Sequence, residues 1–418
     1  MQTELSKYTA IIGIDWADKK HDVCIHVTAT GQQELAQIPH QAEKIDEWAR
    51  SLYRQHGGPM AVALELSQGP IVAALQKYDF FVLYPVNPSS LVSYRRTFTP
   101  SGAKDDPTDA VYILNLLLRH PDQFHPLAPQ SIEMRALMTL TEQRRRLVND
   151  RVRLTNRLRN ALKQYYPQAL EWFDRIETRL FCDFVRRWPT AMRARRARKA
   201  TLETFFRAHN MNRKALLEKR ITAIKSAVPL TTDDGVVIPY RLLALILVEQ
   251  LETMLECLDR FDEEIAALVP QHPDHELFAV LPGAGPAHIP RLMAAFGEQR
   301  ERFNDAAEVQ KCTGIAPVTE RSGQLYWIHW RWQCSTFLRQ TFVEWAAQTI
   351  NKSYWAGLYY HQQRAKGCSH QAAVRALAFK WIRILYRCWK TRTPYDEARY
   401  LKALQERGSP LLKMAETA

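Results

Sequence analysis

Residues 11–15 read Ile-Ile-Gly-Ile-Asp, and residues 61–65 read Ala-Val-Ala-Leu-Glu. Each is a short apolar run closed by a carboxylate. Runs of this length between polar segments read as buried β-strands. A further strand pattern at 21–27 follows the first across Trp-Ala-Asp-Lys-Lys, so the two form a hairpin. Another strand pattern lies at 80–86, and helical patterns lie at 41–55, 69–78, 88–96 and 106–118. Strands separated by helices after an opening hairpin predict a mixed α/β sheet.

The carboxylates at the strand ends, Asp15 and Glu65, are joined by Asp106 and Asp109 at the head of a helical stretch. Three residues apart, Asp106 and Asp109 project from one helix face. A single acid of this kind is ordinarily a turn former or a salt-bridge partner. Four in this arrangement repel one another and raise each other's pKa unless a cation joins them. Oxygen ligands suit hard cations. Two such ions, about 4 Å apart, stabilise the attacking and leaving oxygens of phosphoryl transfer. The order of elements, with acids at strand ends, fits a ribonuclease-H-like (RuvC-like) fold. Asp105 points off the shared face, and Asp18 and Asp22 read as surface charges of the hairpin.

The chain has 418 residues, 46% hydrophobic and 24% charged, enough for two or three domains. No apolar run has membrane-spanning length and no leader segment is visible, so a cytoplasmic protein with no membrane contact is expected. Its seven cysteines are scattered without CxxC spacing, and read as reduced thiols. The net charge of +13 is uneven: residues 1–110 hold 10 basic and 13 acidic residues, and the remainder holds 47 and 31. A basic body beyond an acidic module suits a polyanion, nucleic acid first.

Residues 130–173 read as one long helix, with Leu137, Leu140, Leu147, Leu154, Leu158 and Ala161 as its stripe. Arg144, Arg145 and Arg151 belong to a strongly basic flank, and are candidate nucleic-acid contacts. A second long helix at 240–268 carries a heptad seam from Leu247 to Leu268, and the two are expected to pair as an antiparallel coiled coil. Between them, residues 174–238 form an insert whose stretch 186–199 has seven basic residues and no acidic one. That stretch wraps nucleic acid or is a solvated face; composition favours neither. From 276 onward the pattern is helical again, ending in a frayed tail after about 405.

Leu281-Pro-Gly-Ala-Gly285 ahead of a helical stretch is similar to a helix-hairpin-helix turn, whose amides, at Gly283 and Gly285, can cradle a phosphate. Pro-Gly is also an ordinary turn. Ser322 stands beside Gly323 in a polar segment, which by itself reads as a loop residue, since no Gly-x-Ser-x-Gly or Ser-x-x-Lys pattern surrounds it. The aromatic and basic run Tyr326 to Trp332 either stacks on bases or forms a core strand with one solvent face. Arg321, Arg331 and His329 are candidate phosphate contacts.

Together these motifs resemble the DEDD transposases of the insertion-sequence 110/1111 family, which includes the Piv-type invertases. The resemblance rests on Gly13-Ile-Asp15, Leu64-Glu65, Lys104-Asp-Asp-Pro-Thr-Asp-Ala110, Leu281-Pro-Gly-Ala-Gly285, Gly314-Ile-Ala-Pro317 through Arg321-Ser-Gly323, and Phe337-Leu-Arg-Gln340. It covers roughly 8–165 and 240–400, and the insert is longer than the family pattern. It implies an α/β plus all-α chain in parts: a RuvC-like DEDD domain at 1–125, a coiled-coil domain at 126–270 with the basic insert at 174–238, a C-terminal helical transposase domain with a helix-hairpin-helix element at 271–405, and a tail at 406–418. It also implies Asp15, Glu65, Asp106 and Asp109 as ligands of Mg²⁺ (Mn²⁺ as substitute) and Ser322 as nucleophile, forming a covalent phosphoserine. Expected partners are donor and target DNA, a non-coding bridge-type guide RNA, and other copies of the chain in a dimer or tetramer with a shared active site. Action on the nucleoid is then expected. The alternative is a metal-dependent nuclease or Holliday-junction resolvase with water as nucleophile.

Overall fold

The computed structural model describes residues 5–65, 69–98, 106–127 and 130–413, and the side chains of 89, 106, 107 and 413 lie outside that description. The chain divides into two compact units, Met1–Pro129 and Gln130–Ala418.

The first unit is built on a five-stranded sheet of order β3-β2-β1-β4-β5. Its strands are β1 (Ala10–Asp15), β2 (Lys20–Val27), β3 (Gln33–Pro39), β4 (Met60–Leu64) and β5 (Phe81–Pro85). β1 to β3 pair antiparallel, whereas β4 and β5 run parallel to β1. β1 and β4 are buried at every residue, as expected of central strands covered on both faces. One face packs Ile12, Ile14, Val62 and Leu64 with the Ala42–His56 and Pro70–Leu75 helices. The other packs Ile11, Cys24, Ala61 and Ala63 beneath the Asp106–Arg119 helix. Gly13 permits that close approach: a Cβ there would strike the Ala110 carbonyl and lie 2.6 Å from the Leu114 amide nitrogen.

β3 has no counterpart among the strands expected from sequence. It is an edge strand on which only Ile38 is fully buried, so its residues carry almost no alternation. The other strands and the four helices of this unit match the expected elements within a few residues, except that the second helix closes at Leu75.

The second unit is almost wholly helical. The Ile132–Tyr165 and Asp234–Leu268 helices pack side by side and antiparallel: Arg144 meets Asp262, while Leu158 and Leu162 share a core with Leu247 and Leu251. The first stops at Tyr166-Pro167 rather than running to 173, because proline cannot continue the hydrogen-bond ladder. A short Gln168–Trp172 helix follows. The insert, weakly patterned in sequence, is a stack of short helices: Arg179–Arg187, Ala191–Arg196, Lys199–Ala208 and Lys214–Lys225. Thr178 and Thr190 cap the first two. Phe181, Phe184, Phe205 and Phe206 bury against the far end of the helix pair.

Around the other end, a separate core gathers Phe296, Phe342, Trp345, Trp355, Trp381 and Trp389 from the C-terminal helices. The segment expected to fray after 405 contributes to it. The Pro410–Lys413 helix buries Leu411 there, and an apolar side chain with a packing site does not fray. Residues 414–418 of the expected tail lie outside the described residues.

Candidate active site

Asp15 ends β1, and Glu65 follows the last paired residue of β4. Ile14 is in register with Leu64, so the two acids extend neighbouring parallel strands, about 4.8 Å apart along the sheet. Strand alternation puts Asp15 on the face of Ile11 and Gly13, beneath the Asp106–Arg119 helix. Asp15 is 9% exposed and Asp109, in that helix, 1%. The carboxylate of Asp109 takes two hydrogen bonds from Arg95, at 2.7 and 2.6 Å. This bidentate pair is the strongest geometry open to a guanidinium and a carboxylate. Asp106 begins the same helix, but its side chain, like Lys104 and Asp105, lies outside the description.

A further acid belongs to this face. Asp22 of β2 stands directly across from Asp15 and is 6% exposed, so it is not the surface charge that sequence suggests. Directly opposed like charges in an antiparallel pair are destabilising. Gln37 donates to Asp22 at 2.8 Å, which satisfies one oxygen but neutralises no charge. The signal available in sequence was the β2 alternation Asp22, Cys24, His26. Reading it required the β1–β2 register. Next to Asp22, His21 is fully buried and shares a 2.9 Å hydrogen bond with His40. Burial first, then His40, lower its pKa to about 4, against a smaller opposing pull from Asp22.

Ser322 lies in the second unit. Strands β6 (Val318–Ser322) and β7 (Leu325–His329) form a two-stranded hairpin, and Ser322 pairs with Leu325 across the two-residue turn Gly323-Gln324. Gly323 has φ +60°, which a two-residue hairpin turn of this hand demands and glycine meets without strain. β7 is exposed at every residue, with Leu325, Tyr326 and Ile328 all above 60% exposed. The aromatic run is therefore no core strand. Ser322 shares its face with Glu320, Trp327 and His329, and Arg321 shares the other with Tyr326 and Ile328. His329 pairs with Glu320 at 3.3 Å, and it lies four strand steps of about 3.3 Å from Leu325, beyond proton-transfer reach of Ser322.

The hairpin is exposed at its tip and tied to the fold at its root. Arg331 donates to the carbonyls of Ala316 and Pro317, at 3.2 and 3.5 Å. Ile315 and Ala316 both donate to the Gln310 carbonyl.

The remaining candidates divide by partner. Arg144 is held by Asp262, and Arg145 by Glu344 at 3.0 Å and Gln340 at 2.9 Å. Glu344 also binds the buried Arg291 at 2.7 Å. Arg151 is half-buried on the same helix. Gly283 and Gly285 both adopt positive φ, +69° and +54°, in the turn between the His275–Ala279 and Gly285–Phe296 helices. Trp345 donates to the Pro282 carbonyl at 3.1 Å, and Gly283 packs on Gln348, so this turn is tied to the C-terminal core.

Comparison with known proteins adds to this geometry. Residues 12–167 match the DEDD transposase model of IS110, and residues 275–361 match the transposase model of the IS116/IS110/IS902 family. The chain belongs to the IS110 transposase family. Its relatives include the "Mini-circle putative transposase for IS117" of Streptomyces coelicolor, 29% identical over 94% of this chain and 96% of that protein. The IS116 uncharacterized 44.8 kDa protein of Streptomyces clavuligerus is 27% identical over 68% of this chain and 70% of its own length. The first family match spans Asp15, Glu65, Asp106 and Asp109; the second spans Gly283, Gly285 and Ser322. The insert at 174–238 lies between them.

A transposase of this family processes DNA. No helix among the described residues is long and apolar enough to cross a membrane. The acid face has the donor chemistry for a hard divalent cation, all carboxylate oxygen. No three candidate ligands among the described residues stand close enough to hold an ion, and Asp109 is engaged by Arg95. Asp15 and Asp22 are directly opposed and both buried, and Glu65 extends the neighbouring strand.

Proposed function

We propose that this transposase cuts and rejoins DNA through Ser322, assisted by Mg²⁺ on a ribonuclease-H-like domain and guided by a non-coding bridge RNA. The sheet order 3-2-1-4-5 with acids at the β1 and β4 ends supports the fold assignment. Asp15, Glu65, Asp106 and Asp109 are the ligands in this reading, with Mn²⁺ as a substitute metal. When bound, the metal neutralises charge on the phosphoryl oxygens. The parts of the chain are then the catalytic domain at 1–125, the coiled coil at 126–270, and the serine domain at 271–405 with its helix-hairpin-helix turn.

The observation that carries the reading is the position of Ser322 at the tip of a hairpin exposed on both faces. A hydrolytic nuclease has no use for a serine presented in this way. A nucleophile that must enter a DNA strand does. Ser322 Oγ bonds to phosphorus and loses its proton, while the deoxyribose oxygen leaves and takes a proton. One phosphodiester is exchanged for another, so rejoining needs no energy source. His329 is too far along the hairpin to serve Ser322 as base, so the base comes from another group. The working unit in this reading is a dimer or tetramer. In that assembly Ser322 of one protomer serves the acids of another. Donor and target DNA lie along basic surfaces while base pairing with the RNA selects the site.

The test is incubation of the protein with guide RNA, DNA and Mg²⁺, followed by a denaturing gel. A covalent protein–DNA adduct is expected from the natural chain, and none from Ser322→Ala or Asp15→Asn. Cleavage that persists in Ser322→Ala would refute the covalent route in favour of a water-using nuclease or junction resolvase.

A further inference from the structure

Between the root of the Ser322 hairpin and the first turn of the His370–Thr391 helix lies a cavity of about 480 Å³. Pro317, Tyr359, Ser369, Gln371, Arg375 and Phe379 line it. Its charge balance is unusual. The Arg375 and Arg339 guanidinium groups both lie over the ring of Trp330, the residue that follows β7. Arg331, next in the chain, holds the hairpin root. Arg339 donates to the Arg331 carbonyl at 3.2 Å. Among the described residues, no carboxylate pairs with Arg331, Arg339 or Arg375. Elsewhere in this unit the half-buried or buried arginines 144, 145, 291 and 300 each pair with a carboxylate, whereas Arg151, Arg220 and Arg241 stand singly without one among the described residues; three such arginines gathered at one cavity are the distinctive feature.

Two buried donors at the same place lack an acceptor: Arg375 Nε and Trp330 Nε1. A buried donor without a partner costs about 1–3 kcal/mol, and more for a charged group. A cluster of guanidinium groups adds mutual repulsion. Burial, then the neighbouring Arg339 charge, push the Arg375 pKa down. The Trp330 ring offsets part of this cost through cation–π contact but supplies no acceptor and no negative charge. An anion with several acceptor oxygens would supply both. The opening turn of the long His370–Thr391 helix, capped by Ser369, adds backbone amides at the cavity edge. Tyr359 and Phe379 add an apolar wall suited to a sugar or base.

We propose that this cavity seats a backbone phosphate of the DNA strand that Ser322 attacks, with Arg375 as the primary ligand and Arg339 beside it. The seat deepens the serine-recombinase reading and rests on DNA being what the hairpin meets. β6 runs from the root to Ser322 over five residues, about 16 Å at 3.3 Å each. That is about five steps of duplex at 3.4 Å per base pair. The seat would hold the strand several nucleotides from the scissile phosphate, setting register while the exposed tip meets the reacting phosphate. Arg375 is thus a positioning residue for the reaction.

The experiment measures binding of the full chain to a short labelled DNA duplex by fluorescence anisotropy across a series of NaCl concentrations. Each phosphate contact contributes about 0.9 to the slope of log Kd against log salt. Arg375→Gln is expected to lower that slope by about 1, and Arg375→Lys to retain it. Ser322→Ala and the exposed Arg207→Gln of the insert serve as controls, and the proposal expects the Arg375→Gln loss to exceed any change they show. An unchanged slope in Arg375→Gln overturns the proposal, as does a loss seen with an RNA duplex and not with DNA. If Arg375→Gln does not fold, phenylglyoxal labelling of the natural chain replaces it. DNA is then expected to protect Arg375, and labelling unaffected by DNA refutes the seat. Failure of the covalent reading is separable: it shows as no adduct on the gel, whatever the salt slope does.

Discussion

Gly13→Ala tests whether the acid face depends on the contact between β1 and the Asp106–Arg119 helix. The added methyl would lie 2.6 Å from the Leu114 amide nitrogen and 2.9 Å from Leu114 Cβ, besides striking the Ala110 carbonyl. Two of these are backbone atoms, so no side-chain rotation relieves the clash. Restoring ordinary contact, about 3.5–4.0 Å between heavy atoms, moves the helix off the strand by about 1 Å. Overpacking of this kind costs about 1–3 kcal/mol, and rigid backbone on the receiving side argues for the upper end, about 3 kcal/mol. A gap of that size also forfeits roughly a quarter to a half of the dispersion well for atoms facing across it. Those atoms belong to Ile11, Ala61, Ala63, Ile113 and Leu117, all almost fully buried. For a unit of this size, 3 kcal/mol corresponds to a fall in Tm of about 10 °C. Asp109 rides on the same helix, so cleavage should fall further than the folded fraction at 25 °C accounts for. Calorimetry gives Tm, and single-turnover DNA cleavage gives the rate. A Tm within 2 °C of the natural chain, with unchanged cleavage, would refute the close-packing argument.

Three other outcomes are expected. Glu344→Gln removes the carboxylate shared by Arg145 and the buried Arg291, and should cost about 2 kcal/mol in denaturant unfolding, less than a fully buried pair because Glu344 is partly exposed; a cost below 0.5 kcal/mol would show that Thr341 and solvent suffice for Arg291. His21 has a folded pKa of about 4, below its ordinary value, so the unfolded chain binds the proton first as pH falls. Stability from this site is complete above about pH 6.5 and is lost between there and pH 4, by up to about 3 kcal/mol, and His21→Phe should flatten that part of the stability–pH curve. Asp22→Asn removes the charge directly opposite Asp15. It should stabilise the metal-free chain by about 0.5–1 kcal/mol, and addition of Mg²⁺ should raise Tm less in the variant than in the natural chain. An equal Mg²⁺ response would exclude Asp22 from the site.

What was legible in sequence was what local pattern encodes. β1 and β4 are uninterrupted apolar runs because both faces are covered, and the acid that closes each run marks the end of the strand's apolar stretch. The helix pair shows its seam over many turns. β3 hides because an exposed edge strand needs no alternation. The insert hides because its helices are short, and Phe181, Phe184, Phe205 and Phe206 meet only once those helices stack. The rest depended on register and on distant partners. Asp22 looks like a turn charge until β2 is laid antiparallel on β1, which turns it inward against Asp15. Arg145 and Arg375 are indistinguishable in sequence, each a basic residue on a long helix. Folding gives Arg145 the carboxylate of Glu344, almost two hundred residues away; among the described residues it sets Arg375 over an aromatic ring and beside another arginine, with no carboxylate. Composition counts both as basic surface, yet their energetics are opposite. A paired arginine is internal structure, whereas a half-buried arginine without a counter-charge carries an uncompensated desolvation cost. The basic excess of this chain therefore overstates the charge open to a polyanion, because the arginines that folding has paired no longer contribute to it.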